Sequence, residues 1–159
     1  MSTLSLQVFA DYHHFILQDA AAAEATGWEA LRWTADALAR KLAVAPTLIA
    51  IGTGRADTVP VELVVADAPP PAEVDADAEL VTVASVEVPS GCLVCTGPTG
   101  YLPDAPRVAL TPGTYAARVA YRGLATVSAD GLDGDDRYRV TLWPAAAAIA
   151  PRVVADRRG

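Results

Sequence analysis

From residue 47 onward the chain is a succession of short β-branched or aromatic runs, and this succession limits the available folds more than any other feature. TLIAIGT (47–53), VPVELVVA (59–66), ELVTVASVEV (79–88), CLVCTG (92–97), RVALT (107–111), TYAARVAYR (114–122) and RYRVTLW (137–143) are separated by the turn formers GTGRAD, DAPPPAEVDAD, PSG, GPTGYLPDAP, PG and SADGLDGDD. Upstream, Leu4, Leu6, Val8 and Ala10 alternate with Ser5, Gln7, Phe9 and Asp11, the period of a strand with one face on a core. HFILQ then continues the β-prone pattern, and the Asp11–Tyr12 step between them is either a bulge in one long strand or a tight turn between two short ones. One helical pattern interrupts the series. Trp28, Leu31, Ala35, Leu38 and Leu42 recur at three- and four-residue steps, with Thr26 as N-cap, Glu29 three residues later and Pro46 as the stop, which predicts a helix over about residues 28–43. Many short strands and one helix predict a mostly-β fold, an antiparallel β-sandwich with that helix packed on or beside it. At 159 residues the chain is read as one domain, 1–159, long enough to bury a core. APPPAEVDAD (68–77) reads as an exposed connection within it, and the tail docks a last strand through Val153 and Val154 before fraying at Arg157 and Arg158.

Nineteen acidic against twelve basic residues give a net charge of −7, so general affinity for nucleic acid or for an anionic membrane works against long-range repulsion. A basic protein partner is favoured. The imbalance is concentrated between Arg55 and Arg107, a stretch without Lys, Arg or His that holds Asp57, Glu62, Asp67, Glu73, Asp75, Asp77, Glu79, Glu87 and Asp104. Such a block is either a solvated rim or a surface aimed at a cation-rich partner. On clustering alone, Asp67, Glu73, Asp75, Asp77 and Glu79 are the candidate partner-binding residues. The N-terminus lacks the pattern of a secretory signal and no run of eighteen apolar residues occurs, so a cytoplasmic location is expected.

No motif in the chain points clearly to catalysis, a metal or a cofactor. Extended backbone places Asp11, His13 and Phe15 on one face and Tyr12, His14 and Ile16 on the other, so the imidazoles diverge and cannot share a metal. Asp11 could orient His13 as a general base, but no nucleophile motif accompanies the pair. Cys92 and Cys95, three apart in a strand, point to opposite faces and read as small core residues. GTGR (52–55) lacks the third glycine and the lysine of a phosphate loop and reads as a hairpin turn, and DGLDGDD (130–136) lacks EF-hand spacing. Trp28 and Trp33, five residues apart, cannot both face a core, so one is expected to be partly exposed.

The run Tyr12-His13-His14-Phe15 followed by Gln18-Asp19, the Trp-led segment GWEALRWTADAL, and the stretch from Arg107 into Pro112-Gly113-x-Tyr115 occur in the order found in the competence protein J family, the DNA-entry nuclease inhibitors, which this chain resembles. The resemblance covers about half the chain in short pieces, and this chain is longer than the family, with the acidic block inserted or expanded. It implies a small β-rich, non-catalytic protein that binds and inhibits a nuclease. A general ligand- or protein-binding sandwich module, homo-oligomeric or not, is the alternative, and a hydrolase built on Asp11 and His13 is the third reading.

Overall fold

Leu42 and Leu17 illustrate how the chain closes. Each belongs to a short strand, each is fully buried, and each shares the main core with residues from the other end of the sequence such as Val140 and Leu142. The computed structural model describes residues 1–159, in which eleven strands form two facing sheets. They are β1 (Ser2–Phe9), β2 (His14–Asp19), β3 (Leu42–Ala45), β4 (Leu48–Gly52), β5 (Thr58–Val65), β6 (Leu80–Val88), β7 (Cys92–Thr96), β8 (Arg107–Ala109), β9 (Gly113–Arg122), β10 (Arg137–Pro144) and β11 (Arg152–Asp156). One sheet has the order β1-β5-β10-β9-β6-β11 and the other β3-β4-β2-β7-β8. The mostly-β sandwich expected from the strand series is present, and every strand run read from the sequence has a counterpart. All pairings are antiparallel except β5 with β10, which run parallel from Val61↔Tyr138 to Val65↔Leu142.

The core lies between the sheets. Val59, Val61 and Leu63 of β5, Ala117, Val119 and Tyr121 of β9, and Tyr138, Val140 and Leu142 of β10 meet Phe15, Leu17, Ile49, Ile51, Leu93 and Cys95 of the smaller sheet. Each large side chain buried there contributes about 1.5–3 kcal/mol relative to exposure. Phe15 and Tyr121 both stand edge-on to the Tyr138 ring, at centroid separations of 5.9 and 5.8 Å. β2 is buried on both faces, which explains why HFILQD is continuously apolar at its centre instead of alternating. Ile16, Ala43, Leu48 and Ala50 turn away from the main core and are covered by Leu31, Trp33 and Ala37.

That cover is where the expected helix lies, and its form differs. Instead of one helix over residues 28–43 there are two short ones, α1 (Ala20–Thr26) and α2 (Ala35–Arg40), joined by an irregular stretch. The run AAAAEAT has high helix propensity and a cap in Asp19, whose carboxylate accepts from Ala22 N. Thr26 therefore ends a helix and does not cap one. α2 starts at Thr34, whose hydroxyl accepts from Ala37 N, and ends at Lys41 in the left-handed region, where the chain turns into β3. Leu42 consequently belongs to a strand. GTGR is also corrected: β4 and β5 lie in different sheets, so residues 52–57 cross between layers and form no hairpin. The tail is pinned, since Arg157 N donates to Glu79 O at 2.7 Å and the Arg158 guanidinium to Ala39 O at 3.0 Å. No helix is long and apolar enough to cross a membrane.

Candidate partner-binding site

The Tyr-His-His-Phe segment is a tight turn. Tyr12 and His13 both adopt the left-handed region, at φ 55° and 61°, a conformation that costs a non-glycine residue roughly 1–2 kcal/mol. Extended-backbone faces therefore do not apply to Asp11, Tyr12 and His13; the strand begins only at His14. Local hydrogen bonds hold the turn. Asp11 Oδ1 accepts from Tyr12 N at 3.0 Å and its Oδ2 from the Thr99 hydroxyl at 3.1 Å, while His13 O accepts from Thr53 N at 2.8 Å. Each imidazole donates from Nδ1 to a carbonyl at 3.1 Å, His13 to Gly54 O and His14 to Tyr12 O, and the buried Nε2 of His14 has no hydrogen-bond partner. The Asp11 carboxylate is thus committed to the turn and to Thr99, and His13 to Gly54, so the two do not form a dyad. The outcome is that Tyr12 projects from a braced corner with 73% of its surface exposed.

Beside the corner lies a recess of about 330 Å3 lined by Tyr12, His13, His14, Trp33, Lys41 and Thr53, among others. Trp33 meets the His14 ring edge-on at 5.4 Å, and Lys41 Nζ donates to Thr53 O at 3.3 Å. Burial lowers the pKa of His14, outweighing the raising effects of its bond to Tyr12 O and of Asp11, so the imidazole is neutral near pH 7. Burial likewise lowers Lys41 from its ordinary value, with the nearby Arg158 adding to the effect. No group of three or more His, Cys, Asp or Glu side chains is arranged to hold a metal ion. Cys92 and Cys95 are unpaired thiols, and complete burial pushes Cys95 up to about 12, so it is a packing residue. Trp28, 47% exposed, is the outward member of the tryptophan pair.

Two other segments reach the same corner. The crossing 52–57 and the loop 123–136 meet where Ala56 N donates to Gly131 O at 2.9 Å, and a Cβ on Gly131 would lie 2.8 Å from the His13 ring. Buried Asp136 ties them together: it accepts from Arg55 N at 3.1 Å, from the Arg55 guanidinium and from the Tyr138 hydroxyl, which itself accepts from Gly54 N at 2.7 Å. Burial alone would raise the Asp136 pKa, and these donors outweigh it, holding the carboxyl below the usual range. Around this core stand exposed Asp57, Asp130, Asp133 and Asp135, together with Leu132. The corner therefore combines aromatic and aliphatic anchors with carboxylates on a rigid base.

The five acidic residues picked out by clustering are placed differently. The connection 66–79 lies over the outer face of the six-stranded sheet. Asp75 is 4% exposed and accepts from Arg118 at 2.8 Å, from Arg122 at 3.2 Å and from Arg139 at 3.5 Å. Asp77 takes Arg122 at 2.8 Å, an interaction that holds its carboxyl below the ordinary range. Glu79 caps the turn after β9 through Leu124 N and Ala125 N. Asp67 and Glu73 are exposed and form no ion pair. Sequence reasoning missed the three arginines because they are 43 or more residues away along the chain. A signal was present: Arg118, Ala120 and Arg122 share one face of a central strand, and two guanidiniums there require carboxylates from elsewhere.

No protein-family model matches the chain, and no curated protein matches it by sequence. Solved structures do. The crystal structure of ComJ, inhibitor of the DNA degrading activity of NucA, from Bacillus subtilis, superposes with a TM-score of 0.64 over 91% of this chain and 96% of that one, at 14% identity. The chain has the fold of ComJ. The structure of crocagin biosynthetic gene J shares that fold, with a TM-score of 0.59 and 20% identity over 90% of this chain and 97% of the other.

Proposed function

We propose that this protein is a non-catalytic binding protein that restrains a nuclease by docking on its basic surface. The observation that carries this reading is the ComJ fold over 91% of the chain, since a solved protein of that fold is described as an inhibitor of a nuclease. The net charge of −7 supports it: carboxylates can take the place of phosphates on a surface built to hold nucleic acid, and they speed encounter. Within the surface, the braced corner is the contact centre. Tyr12 and Leu132 act as anchors, with Asp57, Asp130, Asp133 and Asp135 as the surrounding charge. Asp67 and Glu73 add steering charge, while Asp75, Asp77 and Glu79 support the acidic connection from within.

The experiment is a DNA-degradation assay with a basic nuclease captured from the native host by the tagged protein. Wild-type protein is expected to suppress cleavage stoichiometrically, Tyr12→Ala to weaken suppression at least tenfold, and the triple change of Asp130, Asp133 and Asp135 to Lys to abolish it. Capture of no nuclease, or equal inhibition by all three proteins, overturns the proposal. The recess at His14, Trp33 and Lys41 favours a second reading, a ligand-binding module. In that case a small ligand would protect His14 and Trp33 resonances in the absence of any protein partner.

A further inference from the structure

Three residues other than glycine adopt the left-handed backbone region, Tyr12, His13 and Lys41, at φ 55°, 61° and 56°, and all three line the recess of about 330 Å3 beside the corner. Such residues persist only where their surroundings hold them, and they gather at functional sites. At Lys41 the carbonyl is held, since it accepts from Gly52 N at 2.9 Å and from the Tyr121 hydroxyl at 2.6 Å. Two polar groups of the same recess are short of partners. Lys41 Nζ makes one hydrogen bond, to Thr53 O at 3.3 Å, and no carboxylate lines the recess to balance its charge. His14, 7% exposed, spends Nδ1 on Tyr12 O, and its Nε2 is the one buried side-chain nitrogen or oxygen in the protein without a hydrogen-bond partner. Leaving such a group unpaired costs about 1–3 kcal/mol. The rest of the wall is largely apolar, with Trp33 edge-on to the imidazole at 5.4 Å and exposed Tyr12 and Leu38 beside it.

We propose that the recess binds a small planar organic acid, whose carboxylate pairs with Lys41 and whose N–H or O–H donates to His14 Nε2. This rests on the ligand-binding reading of the recess, and nuclease docking does not enter it. Each part of the ligand answers a group in the wall. Lys41 is the only Lys, Arg, Asp or Glu among the lining residues, so the recess takes an anion. Of the charged groups near it, Asp136 is paired with Arg55 and Arg158 with Asp156, so the ammonium itself stays without a counter-charge, and salt screens more distant carboxylates over about 8 Å. Because Nδ1–H of His14 is already donated, Nε2 of the neutral ring offers a lone pair and needs a donor. Trp33, Tyr12 and Leu38 suit a flat apolar body. Small-molecule sites run from about 300 to 1,000 Å3, and this recess is near the lower end, which limits that body to one or two rings. Nε2 is shielded from solvent, so the ligand reaches it as the Trp33 ring moves aside. Trp33 is free to do so because it sits on the irregular stretch between α1 and α2, outside any helix or strand.

NMR titration of the isotope-labelled full chain, with no nuclease present, tests this with probes of one shape: indole-2-carboxylate, benzofuran-2-carboxylate, which lacks the N–H, and indole-2-carboxamide, which lacks the charge. Indole-2-carboxylate should shift the His14 Nε2 and Trp33 Nε1 resonances and bind at least tenfold more tightly than either analogue. His14→Phe keeps a ring without the acceptor and should bind the two carboxylates equally. Lys41→Gly suits a φ of 56°, should still fold, and should bind indole-2-carboxylate no better than the carboxamide. Equal binding of all three probes by the wild type overturns the assignment of an acid while leaving a ligand site. No shift at the recess with any probe at near-millimolar concentration removes both. A preference for the indole that survives His14→Phe, or an affinity for the carboxylate that survives Lys41→Gly, also overturns the proposal.

Discussion

Asp75 is the residue on which the outer face of the larger sheet depends. Its carboxylate faces Arg118, Arg122 and Arg139 at a site with 4% exposure, so Asp75→Asn leaves guanidiniums without their counter-charge and should cost about 3 kcal/mol in urea unfolding. The same change at exposed Glu73, Glu73→Gln, should be silent. His14 adds a pH dependence. Its folded pKa lies below its ordinary 6.5, so the unfolded chain takes up the proton first; the stability it contributes is complete above 6.5 and declines as pH falls below that value. Urea midpoints measured from pH 7 down to pH 5 should therefore fall, and His14→Gln should flatten that slope. An unchanged slope would remove His14 from the account. Neither role was legible in sequence. Asp75 looked like its neighbours until distant arginines were folded onto it, and at the Asp11–Tyr12 step the sequence left a bulge and a tight turn both open, of which the structure has the turn.

Strands were readable because β-branched and aromatic runs set off by turn formers mark them, and β5 to β10 begin and end within two residues of the runs so read. The helix was misread for a physical reason. Trp28, Leu31 and Ala35 are spaced as on a helix, yet of the three only Leu31 covers Ile16, Leu48 and Ala50, which it does together with Trp33 and Ala37, and an irregular stretch meets that constraint as well as a helix does. The turning ends of the sheets carry a constraint the periodicity does not show. At the end of β7, a Cβ on Gly97 would lie 1.8 Å from Phe9 O, so the two sheets touch backbone to backbone there. Gly97→Ala should destabilise the fold by about 3 kcal/mol, and hydrogen exchange should show β1 and β7 loosening together. Loosening of β7 alone would count against this junction.

At the scale of the molecule, the ion pairs redistribute the charge. In the acidic connection Asp75 and Asp77 are paired with arginines while Asp67 and Glu73 form no ion pair, and Asp130, Asp133 and Asp135 stand exposed in the loop 128–135 with Asp57 beside them. Association with a nuclease should accordingly slow steeply between low and physiological salt, with little change in the dissociation rate, measurable by stopped-flow mixing. A rate indifferent to salt would show that charge does not guide the encounter. Topology has its own consequence. β10 lies between β5 and β9, and through it β1 and β5 are joined to the remainder of their sheet, although it is not made until residues 137–144. A nascent chain on the ribosome holds two unjoined half-sheets until residues 137–144 emerge, and a truncated product ending before Arg137 has no centre.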